Sequence, residues 1–99
     1  MAEYRLTNRA VEDLTAIWEY TCETWSEAQA NIYYQNLIQC FQEIAAYPWT
    51  GRNYFDIHPM LYGFRKQQHI IFYQMLEAQT IEIIRILHGS MDLKQRIGE

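Results

Sequence analysis

The side chains of this sequence that could carry out acid–base chemistry are concentrated toward its C-terminal end. They are Arg65, His69, Tyr73, Arg85 and His88. A ribonuclease that works without a metal needs a base for the 2′-hydroxyl, a cation for the phosphate and an acid for the leaving oxygen. The five residues supply these types, although histidines and tyrosines on strands are more often structural. RNA cleavage is therefore one hypothesis, and it requires that all five side chains converge on one face.

Other catalytic and metal-binding patterns are missing. No CxxC or HxxxH arrangement is formed by Cys22, Cys40, His58, His69 and His88. The sequence also lacks a GxSxG nucleophile motif and a Gly-rich phosphate loop. We therefore expect no metal site and no cofactor. The two cysteines are expected to be free thiols, because a helical hairpin bending near Trp25 would hold them about 5 Å and about 20 Å from the bend at ~1.5 Å per residue.

Arg85 is the most informative of the candidate residues. Strict alternation along its strand places Ile81, Ile83, Arg85 and Leu87 on one face, and Glu82, Ile84, Ile86 and His88 on the other. An arginine in an apolar row needs compensation, because an unpaired buried charge costs several kcal/mol. Three partners stay open: an acidic residue of the helices, the acidic side chains of a partner protein, or an RNA phosphate. Glu82 is excluded because it points to the opposite face.

The first half of the chain is predicted to be helical. After a short extended start at residues 4–6, Thr7 and Asn8 can cap a helix whose apolar side chains recur at three and four positions through Cys22. Ser26 and Gln29 form a capping box that begins a second helix at once. So short a link predicts an antiparallel helical hairpin, which residues 48–51 end.

The second half is predicted to be a sheet. Residues 48–61 form a long aromatic segment that should anchor on the body of the protein. Three runs rich in Ile, Phe and Tyr follow, at residues 62–66, 69–76 and 80–88. They predict an antiparallel meander with turns at 67–68 and 77–79. A short helical turn is predicted at residues 91–97. The first strand must join the same sheet. The predicted fold class is α+β, in the order β-α-α-β-β-β, with the N-terminal helical hairpin packed on a small antiparallel sheet.

The size and the net charge of the chain restrict the number of domains and the kinds of partner that it can have. The chain has 99 residues, which predicts one domain over residues 1–99. Its net charge of −4 argues against a nucleic-acid binder, because such proteins usually carry a basic excess. A protein target is therefore favoured over direct, sequence-specific contact with nucleic acid. The N-terminal residues show no signal-peptide core, and the longest apolar run is too short to cross a bilayer, so we expect a cytoplasmic protein without a membrane partner.

Several segments together resemble a known family. The start at Tyr4-Arg5-Leu6-Thr7 with Asp13-Leu14, and the turn Trp25-Ser26-Glu27-Ala28-Gln29-Ala30, are similar to ParE toxins of the RelE/ParE superfamily. Pro48, Gly51 and Arg52 match the Pro-x-x-Gly-Arg segment of that family. The strongest match is His69-Ile70-Ile71-Phe72-Tyr73 followed by Ile83-Ile84-Arg85-Ile86-Leu87-His88. The matches run over nearly the whole chain and in the order of the predicted elements.

The resemblance implies the toxin of a type II toxin-antitoxin system. Such a toxin is held in a hetero-oligomer by a ParD-like antitoxin and inhibits DNA gyrase when free, without being an enzyme. The RelE-like branch of the same fold, which consists of ribosome-dependent mRNA endonucleases, is the alternative, and a fold that only binds antitoxin is a third. The resemblance makes Arg52, Arg65, His69, Tyr73, Arg85 and His88 family-motif or target-binding residues, with the sheet face and terminal segment as candidate gyrase contacts.

Aromatic residues are the candidates for antitoxin binding. A disordered antitoxin tail could lay an amphipathic helix along the hairpin and add extended backbone at the open strand edge. Tyr and Trp are enriched in such contacts, although each of these residues could also belong to the core. The predicted anchors are Trp18, Trp25, Tyr33, Tyr34 and Trp49.

Overall fold

The computed structural model of the protein describes residues 2–77 and 79–98. Ala78, which belongs to the predicted turn between the last two strands, lies outside the described residues. The elements in chain order are β1 (Glu3–Leu6), α1 (Asn8–Thr24), α2 (Glu27–Ala46), a short 3-10 helix (Pro48–Thr50), β2 (Arg52–Asn53), β3 (Tyr62–Lys66), β4 (His69–Glu77), β5 (Thr80–His88) and α3 (Leu93–Ile97). The predicted α+β fold class and element order are confirmed, with β2 as an additional two-residue strand.

The two long helices begin where their capping residues predict. The side-chain oxygen of Thr7 accepts a hydrogen bond from the backbone N–H of Ala10 at 3.0 Å, and that of Ser26 accepts one from Gln29 at 3.0 Å. These bonds satisfy N–H groups that have no partner inside a helix. The link between the helices consists of Trp25 and Ser26 alone, and α1 and α2 pack against each other as the predicted hairpin.

The sheet has the strand order β1-β5-β4-β3-β2. The meander β3-β4-β5 is antiparallel as predicted, and β2 adds an antiparallel edge. In contrast, β1 pairs with β5 in parallel, so the sheet is mixed. Parallel neighbours require a long crossover rather than a hairpin, and here the connection runs through both helices and the other strands.

A β-bulge in β5 corrects the predicted alternation around Arg85. Phe72 of β4 pairs with Arg85, but the next residue, Tyr73, pairs with Ile83, so Ile84 is an extra residue. The bulge moves Arg85 and Leu87 to the face opposite Ile81 and Ile83. The prediction of one shared face was wrong because it assumed an unbroken period of two.

Each face of the sheet has its own core. The helices cover one face, where Phe41, Ile71, Tyr73 and Ile83 are among the buried residues. The opposite face buries Leu61, Ile70, Phe72 and Leu87, packed against side chains of the segment 48–61 and of α3. The ring of Tyr54 meets that of Phe72 edge to face with 5.1 Å between centroids. The prediction that the aromatic segment anchors on the body of the protein is therefore confirmed.

Cys22 is half-buried and Cys40 is buried, and both are free thiols. No helix within the described ranges combines the length and apolarity that a bilayer crossing requires. Over the same residues, no three His, Cys, Asp or Glu side chains lie close enough together to hold a metal ion.

Candidate binding surfaces

A cleft of about 440 Å³ lies where α1, the end of β5 and the segment leading into α3 meet. We call it the C-terminal cleft. Its walls combine apolar side chains with several that can carry charge or form hydrogen bonds. The lining residues are Asp13, Ala16, Ile17, Tyr20, His69, Arg85, Ile86, Leu87, His88, Ser90, Met91 and Arg96.

The guanidinium of Arg85 is held by α1. Its Nε donates to Oδ2 of Asp13 at 2.7 Å and its Nη2 donates to Oδ1 of the same residue at 3.0 Å, so the pair is bidentate. Nη1 donates to the backbone oxygen of Arg96 at 2.8 Å. Arg85 is only 8% exposed. Of the three partners left open by the sequence, the acidic residue of a helix is the one that the structure contains.

Asp13 also completes the edge of β5. Because β1 ends at Leu6, it does not cover the last residues of β5. The backbone N–H of Ile86 instead donates to Oδ2 of Asp13 at 3.0 Å, and the hydroxyl of Thr7 donates to the backbone oxygen of Ile84 at 2.8 Å. One carboxylate thus compensates a buried cation and a buried N–H, and it fixes α1 to the strand.

The two histidines of the cleft are neighbours across β4 and β5. His69 pairs with His88 in the ladder, and their ring centroids lie 5.5 Å apart. Nδ1 of His69 shares a 2.6 Å hydrogen bond with the hydroxyl of Tyr33. Burial and then the neighbouring His88 lower the pKa of His69 to about 4, whereas burial raises the pKa of Tyr33 to about 12. His69 and Tyr33 are therefore both uncharged at neutral pH.

Tyr73 is completely buried, and the structure corrects the prediction that it could contact a target. Its hydroxyl donates to the backbone oxygen of Pro48 at 2.5 Å and accepts from the N–H of Gly51 at 3.0 Å. A Cβ on Gly51 would overlap the hydroxyl oxygen of Tyr73, so glycine is required at this close approach. Tyr73 ties β4 to the turn that follows α2.

Arg52 and Arg65, the other two arginines of the candidate set, are not among the residues that line the cleft, although the guanidinium of Arg65 lies beside Gly89 at its edge. Arg65 is exposed, and its Nε donates to the backbone oxygen of Gln67 at 3.2 Å. Its register partner is Ile70, on the sheet face opposite the helices. The guanidinium of Arg52 lies 5.6 Å from the ring centroid of Tyr54. The structure thus gathers only His69, Arg85 and His88 of the candidate set.

The sequence interpretation missed several residues of the C-terminal cleft, above all Asp13. A signal for it was present, because Asp13 lies between Ala10 and Leu14 on the apolar stripe of α1. A carboxylate in such a stripe needs a cation for the same reason that Arg85 needs an anion. Tyr20, Ser90, Met91 and Arg96 gave no comparable signal, because they join the cleft only through packing.

The predicted aromatic anchors occupy three separate places. The indole N–H of Trp18 donates to Oδ1 of Asn31 at 3.0 Å, and Trp18, Tyr33 and Tyr34 lie together where α1 meets α2. Trp25 is 75% exposed at the turn of the hairpin, and Trp49 is 72% exposed beyond the far end of α2. At ~1.5 Å per residue the helix between them is about 30 Å long. The five residues therefore form no single patch.

Comparison with known proteins identifies the family. The family model described as "ParE toxin of type II toxin-antitoxin system, parDE" matches residues 4–93. Toxin ParE1 of Caulobacter vibrioides is 34% identical, covering 99% of this chain and 100% of its own length. Toxin ParE1 of Mycobacterium tuberculosis strain H37Rv is 32% identical over 97% and 98%. Toxin ParE of Escherichia coli is 30% identical over 100% and 96%.

A solved structure supports the same fold. A chain from the structure titled "Chromosomal ParDE TA system from P. aeruginosa" superimposes with a TM-score of 0.76 at 17% identity, covering 89% of this chain and 96% of its own. This likeness concerns the fold, whereas the sequence matches establish the family. The chain belongs to the ParE toxins of type II toxin-antitoxin systems.

Proposed function

We propose that this chain is bound and neutralised by a ParD-like antitoxin and that, when free, it binds DNA gyrase in the cytoplasm and stabilises gyrase–DNA breaks. The toxin acts by occupying its target and performs no chemistry of its own. The main support for the absence of chemistry is that the guanidinium of Arg85 is already paired inside the fold. This guanidinium has a bidentate carboxylate and a backbone oxygen as partners, so it is poorly placed to receive a phosphate.

The rest of the candidate ribonuclease set supports the same conclusion. Tyr73 has no exposed surface and Arg65 belongs to the opposite face of the sheet. Burial and then the neighbouring His88 lower the pKa of His69 to about 4, so at neutral pH its ring is not the imidazolium that a general acid requires. The overall negative charge also disfavours an RNA substrate.

The mRNA endonuclease remains the second candidate for one specific reason. His69, Arg85 and His88 do line a common cleft, together with Arg96. Such a cleft could hold a nucleotide if Arg85 exchanged Asp13 for a phosphate.

The experiment compares both activities in one preparation. The purified chain is incubated with gyrase and supercoiled plasmid, and in parallel with translating ribosomes. We expect linear plasmid after detergent and protease treatment, relieved by equimolar antitoxin, and intact mRNA. Site-specific mRNA cuts without plasmid breaks would contradict the proposal. Neither activity, with antitoxin binding retained, would also contradict its gyrase part.

A further inference from the structure

Charge is distributed unevenly between the helical hairpin and the rest of the chain. Residues 8–46 contain a single basic residue, Arg9, against six acidic ones: Glu12, Asp13, Glu19, Glu23, Glu27 and Glu43. After Ala46 the charges nearly balance, with six basic residues, Arg52, Arg65, Lys66, Arg85, Lys94 and Arg96, against five acidic ones, Asp56, Glu77, Glu82, Asp92 and Glu99. The acidic character of the protein thus originates mainly in the hairpin.

Three of these carboxylates surround the turn between the helices. Glu19 and Glu23 lie one helical turn apart near the end of α1, and Glu27 is the first residue of α2. All three are exposed, and within the described part of the chain none of them forms an ion pair. Burial and then these three carboxylates raise the pKa of the Cys22 thiol, which agrees with their surrounding it. Like charges at this spacing destabilise a helix, so the fold itself gains nothing from Glu19 and Glu23.

Large apolar side chains are exposed beside these carboxylates. Trp25, which lies between Glu23 and Glu27 in the sequence, forms the turn and is 75% exposed, and Tyr20, which follows Glu19, is 66% exposed at the rim of the C-terminal cleft. Exposed Trp and Tyr are typical of interface anchors, and carboxylates around them set the charge of the partner. We call Glu19, Tyr20, Glu23, Trp25 and Glu27 the turn surface.

We infer that the turn surface binds a segment of the antitoxin in which Lys or Arg alternates with apolar residues. The inference rests on the proposed function, since it names the chemistry of the partner that the function requires. A basic segment gains from the three carboxylates, whereas an acidic one would be repelled by them. The apolar residues of the segment would cover Trp25 and its neighbours.

The test compares two triple variants with equal losses of charge. Glu19→Gln, Glu23→Gln and Glu27→Gln alter the turn surface, whereas Asp56→Asn, Glu77→Gln and Glu82→Gln serve as the matched control elsewhere on the molecule. Calorimetric titration measures the binding of each to the full-length antitoxin encoded by the adjoining reading frame, at low and at high salt. Circular dichroism verifies that both variants fold.

The turn-surface variant should bind about tenfold more weakly, a loss of roughly 1.4 kcal/mol, and its affinity should depend less on salt. The control should bind like the wild type. Equal affinities for all three proteins, or an acidic antitoxin tail, would overturn the inference while leaving antitoxin binding intact. Self-association of the free chain that disappears only in the turn-surface variant would also overturn it, since the occupant would then be a second copy. A wild-type chain that binds no antitoxin would instead refute the proposed function.

Discussion

The C-terminal cleft and the turn surface both contain charged groups, but those of the cleft are paired inside the fold and those of the turn surface are exposed to water. In the cleft, the carboxylate of Asp13 and the guanidinium of Arg85 are fixed against each other and against backbone groups. At the turn surface, the carboxylates of Glu19, Glu23 and Glu27 face water. A charge that is satisfied inside the fold maintains architecture, whereas exposed charges beside exposed aromatic rings are suited to recognition. The difference separates residues that hold the molecule together from residues that meet a partner.

Asp13→Ala should lower the stability of the fold more than any other substitution considered. Replacing Asp13 by alanine leaves a buried guanidinium and the N–H of Ile86 without their carboxylate. We expect the free energy of unfolding to fall by about 3–5 kcal/mol, measured by urea denaturation. The control is Glu12→Ala, an exposed neighbour that should change stability by no more than about 0.5 kcal/mol. Similar small changes for both variants would show that the Asp13–Arg85 pair is not structural.

Tyr73→Phe tests the hydrogen bonds that join β4 to the turn after α2. The variant keeps the ring but removes the hydroxyl that donates to the backbone oxygen of Pro48 and accepts from the N–H of Gly51, so this N–H is left unpaired. We expect a loss of about 1–3 kcal/mol in unfolding free energy. Tyr47→Phe alters an exposed ring and should have no measurable effect. A stable Tyr73→Phe variant that loses toxicity would contradict the internal role and restore the residue to the candidate site.

Acid should destabilise the cleft through His69. The pKa of this histidine is about 4 in the folded state and about 6.5 when unfolded, so the unfolded chain binds the extra proton first. Stability therefore rises with pH through this window. The difference between the two pKa values corresponds to about 3 kcal/mol, and solvent at the partly exposed ring reduces the loss expected between pH 6.5 and pH 4 to on the order of 2 kcal/mol. Thermal melts of the wild type and His69→Gln across this range measure the contribution. Parallel pH profiles for the two proteins would contradict it.

The smallest effect on the folded chain is expected at Trp25. Trp25→Ala should leave stability within about 0.5 kcal/mol, because the side chain is largely exposed, yet weaken antitoxin binding by about tenfold or more. Trp49→Ala, at the other end of α2, is the comparison. Equal losses of affinity would show that the antitoxin spans the whole hairpin, and a loss at Trp49 alone would move the contact away from the turn surface.

Most of the fold could be predicted from the sequence because its signals are local. The caps at Thr7 and Ser26, the apolar stripes of α1 and α2 and the β-rich runs after residue 61 determine their elements directly. Three features depend on tertiary pairing instead: the two-residue strand β2, the parallel direction of β1, and the bulge at Ile84. A bulge leaves no local pattern when the residues around it are all isoleucine, arginine and leucine.

The candidate sites were predictable to different degrees. That Arg85 needs a partner followed from its apolar neighbours, but the choice of Asp13 depends on how α1 docks beside β5. Tyr73 could not be recognised as internal, because its burial arises from the turn at residues 48–51. The acidic hairpin, by contrast, is visible in the sequence alone, although only the structure brings Glu27 beside Glu19 and Glu23.

A toxin that acts by binding rather than by turnover can inactivate no more target than its own amount, and a titration of gyrase measures this. Increasing amounts of the purified chain are added to a fixed amount of gyrase and plasmid, and broken DNA is followed over time. We expect that the amount of trapped gyrase never exceeds the amount of toxin added, however long the incubation. Progressive and finally complete inactivation of gyrase that is present in excess over the toxin would contradict action by binding.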